Sequence, residues 1–251
     1  ARVCAVLPPV AVDGPALSIR RFRRRILPLE SFTDEVGVVL LHELLDARCN
    51  LVVAGATSSG KTSLVAALVS EVDPSQRLVI VEDTAELPLR HAHALRLEAR
   101  PPTIDGPGAV DLAQLVRTAL RLRPDRIVVG EARGDEVLAL VQAMNTGHDG
   151  SISTCHANGP TDALLRLESL VLQAAPTWPL AAIRHQLARS IDVVVHVERA
   201  ADGARRITEL AEVAPPSPSD DQHSAPATRP LAMQGIDGRL VAVASLERRR
   251  R

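Results

Sequence analysis

The segment Gly55-Ala56-Thr57-Ser58-Ser59-Gly60-Lys61-Thr62 constrains the fold of this chain more than any other. It has the form GxxxxGK[ST], it follows the apolar run Asn50 to Ala54, and it leads into a segment, Ser63 to Val72, read as an amphipathic helix. A loop of this composition between a buried strand and a helix is built to wrap a polyanion. Glycines leave the backbone N–H groups unobstructed, and the helix N-terminus adds the positive end of its dipole. In such a loop Lys61 would neutralise the β- and γ-phosphates of a nucleotide, and the Thr62 hydroxyl would ligate Mg²⁺. The residues expected to touch the nucleotide are therefore Gly55, Ala56, Thr57, Ser58, Ser59, Gly60, Lys61, Thr62 and Ser63.

The remainder of the chain follows the same rhythm. Leu51 to Ala54, Leu78 to Val81, Ile127 to Val129 and Val193 to Val197 read as short buried strands. Helical spacing of apolar residues runs from Phe32 to Arg48, Leu112 to Leu122 and Asp135 to Met144. Alternation of this kind predicts an α/β domain with a mostly parallel sheet. Residues 1–29 read as the end of a preceding unit with an Arg-rich linker, 30–213 as the main domain, and 214–251 as a Pro/Ser/Asp-rich linker and tail with one more strand over 239–246.

Composition narrows the function classes. With 46% hydrophobic residues, 24% charged residues and a net charge of -1, the 251-residue chain can bury a sizeable core. No apolar run approaches the roughly 18 to 20 residues of a membrane span, and no secretory pattern opens the chain, so a cytosolic location is expected. Two Phe, one Trp and no Tyr leave few stacking platforms for single-stranded nucleic acid, and direct nucleic-acid binding is not expected. Cys4, Cys49 and Cys155 are too far apart for a metal knuckle and are expected to be buried thiols. Among 29 basic residues Lys61 is the only lysine.

In an open parallel sheet, ligands sit beyond the carboxyl ends of the strands. Two predicted strands end there in acids, Glu82-Asp83 and Gly130-Glu131, which could hold Mg²⁺ waters or align an attacking water. A third segment, Thr146 to Asn158, carries His148 and His156 around a short strand, without a third ligand at metal-binding spacing.

Taken in order, Gly55 to Thr62, Val81 to Leu87, Leu122 to Gly134 and Met144 to Asn158 resemble the Walker A, Asp box, Walker B and His box of the type II/type IV secretion ATPases. The finer resemblance is to the CpaF-like branch that powers Tad (Flp) pilus assembly. It implies a RecA-like P-loop NTPase core preceded by the remnant of a truncated N-terminal domain. It also implies ATP and Mg²⁺ as cofactors and a hexameric ring coupled to an inner-membrane platform protein at the cytoplasmic face of the membrane. By the same resemblance Glu131 is the Walker B glutamate, which with Thr62 would hold Mg²⁺ partly through water. Glu82 is the Asp-box acid, and His156 the His-box contact near the γ-phosphate. Arg20 and Arg21 resemble linker arginines, while Arg100, Arg123 and Arg133 occupy positions from which a charge could reach phosphates. Ser58 departs from the pattern, standing where the family often has Gly. Two other functions use the same motifs: a DNA-transfer ATPase of the type IV secretion branch, and a nucleotide-binding assembly protein with little turnover.

Overall fold

The computed structural model describes residues 1–22, 25–102, 108–215 and 226–247. Arg23 and Arg24 of the Arg-rich linker, the segment from Pro216 to Asp221 and the tail Arg248 to Arg251 lie outside them.

The fold is α/β. Its centre is a nine-stranded sheet of β3 (Leu51–Ala54), β4 (Leu78–Glu82), β5 (Ala94–Glu98), β6 (Arg126–Val129), β7 (Ile152–Cys155), β8 (Val193–Arg199), β9 (Arg205–Val213), β10 (Thr228–Gln234) and β11 (Leu240–Ala242). In space the order is β11-β10-β9-β8-β3-β7-β6-β4-β5. The six strands from β8 to β5 are mutually parallel, and β9, β10 and β11 extend the sheet antiparallel from β8. Outside this sheet, β1 (Arg2–Val6) and β2 (Ala16–Arg20) form a separate antiparallel hairpin.

Why the central strands read as unbroken apolar runs is visible in β3, where all four residues are buried. Leu51 and Val53 face a core with α1 (Glu35–Asp46) and α2 (Lys61–Ser70), while Val52 and Ala54 face the opposite core. That second core is built with α3 (Leu112–Ala119), α4 (Glu136–Asn145), α5 (Pro160–Ala174) and α6 (Leu180–Ser190). Covering both faces removes the polar half of the usual alternation. Each fully buried Leu, Ile or Val contributes about 1.5–3 kcal/mol relative to exposure.

Three expectations change. The helix after the phosphate loop is not amphipathic: Leu64 to Val69 are all buried, because Leu29 and Phe32 join the same core as the sheet face beneath it. Beyond residue 213, β11 falls within the strand expected over 239–246, but β10 was not foreseen, and the two complete the main sheet instead of standing in a separate tail. Pro230 and the register shift beside it break the alternation that would have revealed β10. Of the cysteines, Cys49 and Cys155 are buried as expected, but Cys4 is exposed on the β1–β2 hairpin. Among the described residues no helix is long and apolar enough to cross a membrane.

Candidate nucleotide site

The loop between β3 and α2 is held by close packing that only certain residues permit. A Cβ on Gly55 would lie 2.3 Å from the Val197 carbonyl of β8, so the loop could not leave the strand here with a side chain in place. Gly60 has φ +113° and caps α2 in the left-handed region, where a Cβ would also meet Arg205 Cδ at 2.3 Å. Ser58, the departure from the family pattern, has φ +63°. It takes the left-handed conformation that glycine adopts freely, at a cost of about 1–3 kcal/mol.

Lys61 opens α2 and turns back over this loop. Its Nζ donates to the carbonyl oxygens of Gly55 and Ala56, both at 2.8 Å, and lies 3.2 Å from His156 Nδ1. Burial pushes its pKa below the usual lysine range, with the charge of Glu131 opposing that shift. Since β3 pairs with β7 and β7 with β6, the residues just past those strand ends come together. His156 follows β7, and Glu131 follows β6 by two residues. His156 Nε2 lies 2.7 Å from Glu131 Oε1. An ammonium can only donate, so Nδ1 accepts from Lys61 and Nε2–H donates to Glu131. The three side chains form one line across the loop. Thr154 fixes the Glu131 turn by donating Oγ1–H to Gly130 O at 2.8 Å and accepting from Ala132 N–H at 2.7 Å through its carbonyl.

The two glutamates have different surroundings. Glu131 keeps a side chain 32% exposed in the cleft, whereas Glu82 is 5% exposed. Glu82 Oε1 accepts from the backbone N–H groups of Glu86 and Leu87 at 2.9 and 2.7 Å, and Oε2 accepts from Arg96 Nη2 at 3.0 Å. These bonds suit Glu82 to shaping the end of β4 rather than to proton transfer. Its neighbour Asp83 also lines the cleft and is ion-paired with Arg133.

Of the arginines singled out in the sequence, Arg20 and Arg133 line the cleft. Arg21 stands exposed just past β2. Arg100 is directed elsewhere, donating both Nε and Nη2 to Gly108 O at 3.1 and 2.9 Å. Two arginines the sequence reading did not place there, Arg2 and Arg205, also line it. Arg2 and Arg20 are paired across the β1–β2 ladder, and each reaches Glu86, at 3.4 and 3.5 Å. Arg205 has no sequence signature, because only the β8–β9 register brings it to the loop.

His148 packs by Nδ1 against Ala143 O at 3.3 Å, and no cluster of three or more metal-ligating side chains occurs among the described residues. Thr62 and Glu131, which line the same cleft, supply a hydroxyl and a carboxylate. Such a pair fits Mg²⁺, a hard cation that completes its shell with phosphate oxygens and water. The Cys155 thiol, buried beneath this cleft, is pushed up to about 12 by burial and is therefore no nucleophile.

Residues 2–248 match the family described as Type II/IV secretion system protein. A Mycobacterium tuberculosis protein whose name places it in conjugal transfer is 45% identical over 215 residues, covering 84% of this chain and 60% of the relative. The conjugal transfer protein TrbB of Rhizobium radiobacter is 38% identical over 216 residues, 83% of this chain and 63% of its own length. The chain thus spans about three fifths of the curated relatives it matches. Among solved structures, the VirB11 ATPase of the Brucella suis type IV secretion system, in complex with sulphate, superposes with a TM-score of 0.64 at 32% identity. That match covers 84% of this chain and 70% of that one.

Proposed function

The chain belongs to the type II/IV secretion system protein family, and from that premise we propose that it is the ATP-hydrolysing part of a motor subunit for macromolecular transfer. The observation that carries this reading is the line Lys61, His156, Glu131 drawn across a phosphate loop. It sets a cation for the phosphates beside a carboxylate able to orient and deprotonate water. Lys61 would leave its loop carbonyls for the β- and γ-phosphates, and loop N–H groups would hold the phosphate oxygens. Glu131 would align water for in-line attack on the γ-phosphorus, and His156, released from Lys61, would turn its ring toward the transferring group. Thr62 and Glu131 would hold Mg²⁺, whose chemistry here is to neutralise the charge that develops on the phosphate oxygens. Arg20 and Arg133, at the rim, would add positive charge within the ring or across it.

The relatives named for conjugal transfer and type IV secretion favour the transfer branch over Tad-type pilus assembly. Pilus assembly would use the same site with a different partner. In either case we take the working unit to be a homohexamer on an inner-membrane platform, with the chain on the cytoplasmic side. Mg²⁺-dependent release of phosphate from ATP by the purified chain tests the enzymatic reading. Tight ATP binding without phosphate release, in the assembled oligomer, would favour an assembly protein instead.

A further inference from the structure

Among the described residues, Arg205 is the one cleft arginine that reaches the phosphate loop from the side opposite the acids. The strand order places β7, β6 and β4, with His156, Glu131 and Glu82 at or just past their ends, on one side of β3, and β8 and β9 on the other. Gly55 lies against the Val197 carbonyl of β8, so the turn end of the β8–β9 hairpin abuts the loop itself. Arg205 pairs with Arg199 at that end, and its aliphatic stem fills the space a Cβ on Gly60 would occupy. Its Nη1 lies 3.4 Å from Ser63 Oγ in the first turn of α2.

A triphosphate lying along the loop has a direction. Its γ end belongs with Glu131 and His156, so its other end runs toward Ser63 and Arg205. We propose that Arg205 is a nucleotide-binding residue that grips the α-phosphate, holding the part of the nucleotide that does not react. This rests on the nucleotide reading above and adds to it a second cation, on the far side of the loop from the reacting centre. A guanidinium there contributes equally to ATP and ADP, because the α-phosphate is common to both. It would therefore set nucleotide affinity and the rate of ADP release rather than the barrier at the γ-phosphorus.

The test is equilibrium binding of Mg²⁺-ATP, Mg²⁺-ADP and Mg²⁺-tripolyphosphate to the wild type and to Arg205→Ala, Arg205→Gln and Arg205→Lys, with Lys61→Ala in parallel. Arg205→Ala and Arg205→Gln should each weaken all three probes by a similar factor, about tenfold or more as for loss of a charge-assisted hydrogen bond. Arg205→Lys should recover part of that loss. Thermal unfolding without nucleotide identifies any variant that has lost its fold, and using two neutral variants guards against failure of one. Weakening of ATP alone would place the charge at the γ-phosphate and overturn the proposal. Weakening of ATP and ADP with tripolyphosphate unchanged would place it at the ribose or base and also overturn it. Unchanged affinity for all three would do the same. If the wild type binds no nucleotide, the nucleotide reading itself fails. If Lys61→Ala loses binding while the Arg205 variants keep it, only the Arg205 assignment fails.

Discussion

At Lys61 the proposed function sets two opposed demands on a single side chain: it would have to be charged to hold phosphate, and it is buried against the sheet end. The carbonyls of Gly55 and Ala56 and the nearby Glu131 offset the cost of that burial. Lys61→Ala should abolish nucleotide binding in an equilibrium assay, since no other lysine exists to replace it. Binding at wild-type affinity would remove the site from this loop. Glu131→Gln keeps the shape and loses the charge. ATP affinity should stay within a few-fold while the single-turnover rate falls on the order of 10²-fold or more. Affinity loss with unchanged turnover per bound ATP would assign Glu131 to binding alone. Because Lys61 and His156 were each legible in the sequence but their contact was not, the pair illustrates what motif spacing omits. His156 is 95 positions from Lys61, and the parallel β3–β7 register closes that gap.

Among the elements, α1 shows how one residue ties distant parts of the sheet to the site's scaffold. Asp34 caps the helix through Oδ1, which accepts from Gly37 N–H at 3.1 Å, while Oδ2 accepts from Leu240 N–H of β11 at 2.8 Å. Asp34→Ala removes both bonds. A lost cap and a lost hydrogen bond together should cost about 2 kcal/mol, or roughly 4–8 °C in melting temperature for a chain of this size. Scanning calorimetry measures it, and nucleotide affinity should not change, because Asp34 is not among the residues lining the cleft. A melting temperature equal to the wild type would mean that water replaces both bonds. The helix was foreseen from its apolar spacing, although its cap's second partner was not. The antiparallel strands β9 and β10 were missed for a related reason: their charged residues and Pro230 hide a face that is buried only because neighbouring strands exist.

At the scale of the molecule, the β1–β2 hairpin brings Arg2 and Arg20 to the edge of the cleft through Glu86, with Arg21 just beyond. Their pairing with Glu86 is solvent-exposed on the arginine side, so it is worth little by itself and can be exchanged for a phosphate. If the proposed ring forms and shares charge between subunits, ATPase rate per subunit should rise with concentration through the assembly range, as a trans arginine can be worth about 10³ to 10⁵ in rate. A dilution series followed by sedimentation gives the measurement. Constant specific activity across a demonstrated assembly transition, unaltered by Arg20→Ala with Arg21→Ala, would exclude charge sharing by these residues.

Much of this protein is determined locally. A glycine-bounded loop with Lys-Thr at its end works only between a strand and a helix, and buried parallel strands must be apolar on both faces. The loop, the four foreseen strands of the parallel core and the acids at their ends are therefore legible without coordinates. What the tertiary structure decided is which side chains meet. Glu82 and Glu131 look alike in sequence, yet the fold surrounds one with three donors and leaves the other open to the cleft. Arg100 turns to Gly108, and Arg205, unmarked by any motif, comes to rest over Gly60. Hydrophobic patterning is a short-range property of one strand or helix, whereas the environment of a charge depends on strand order and register, which only the assembled sheet supplies.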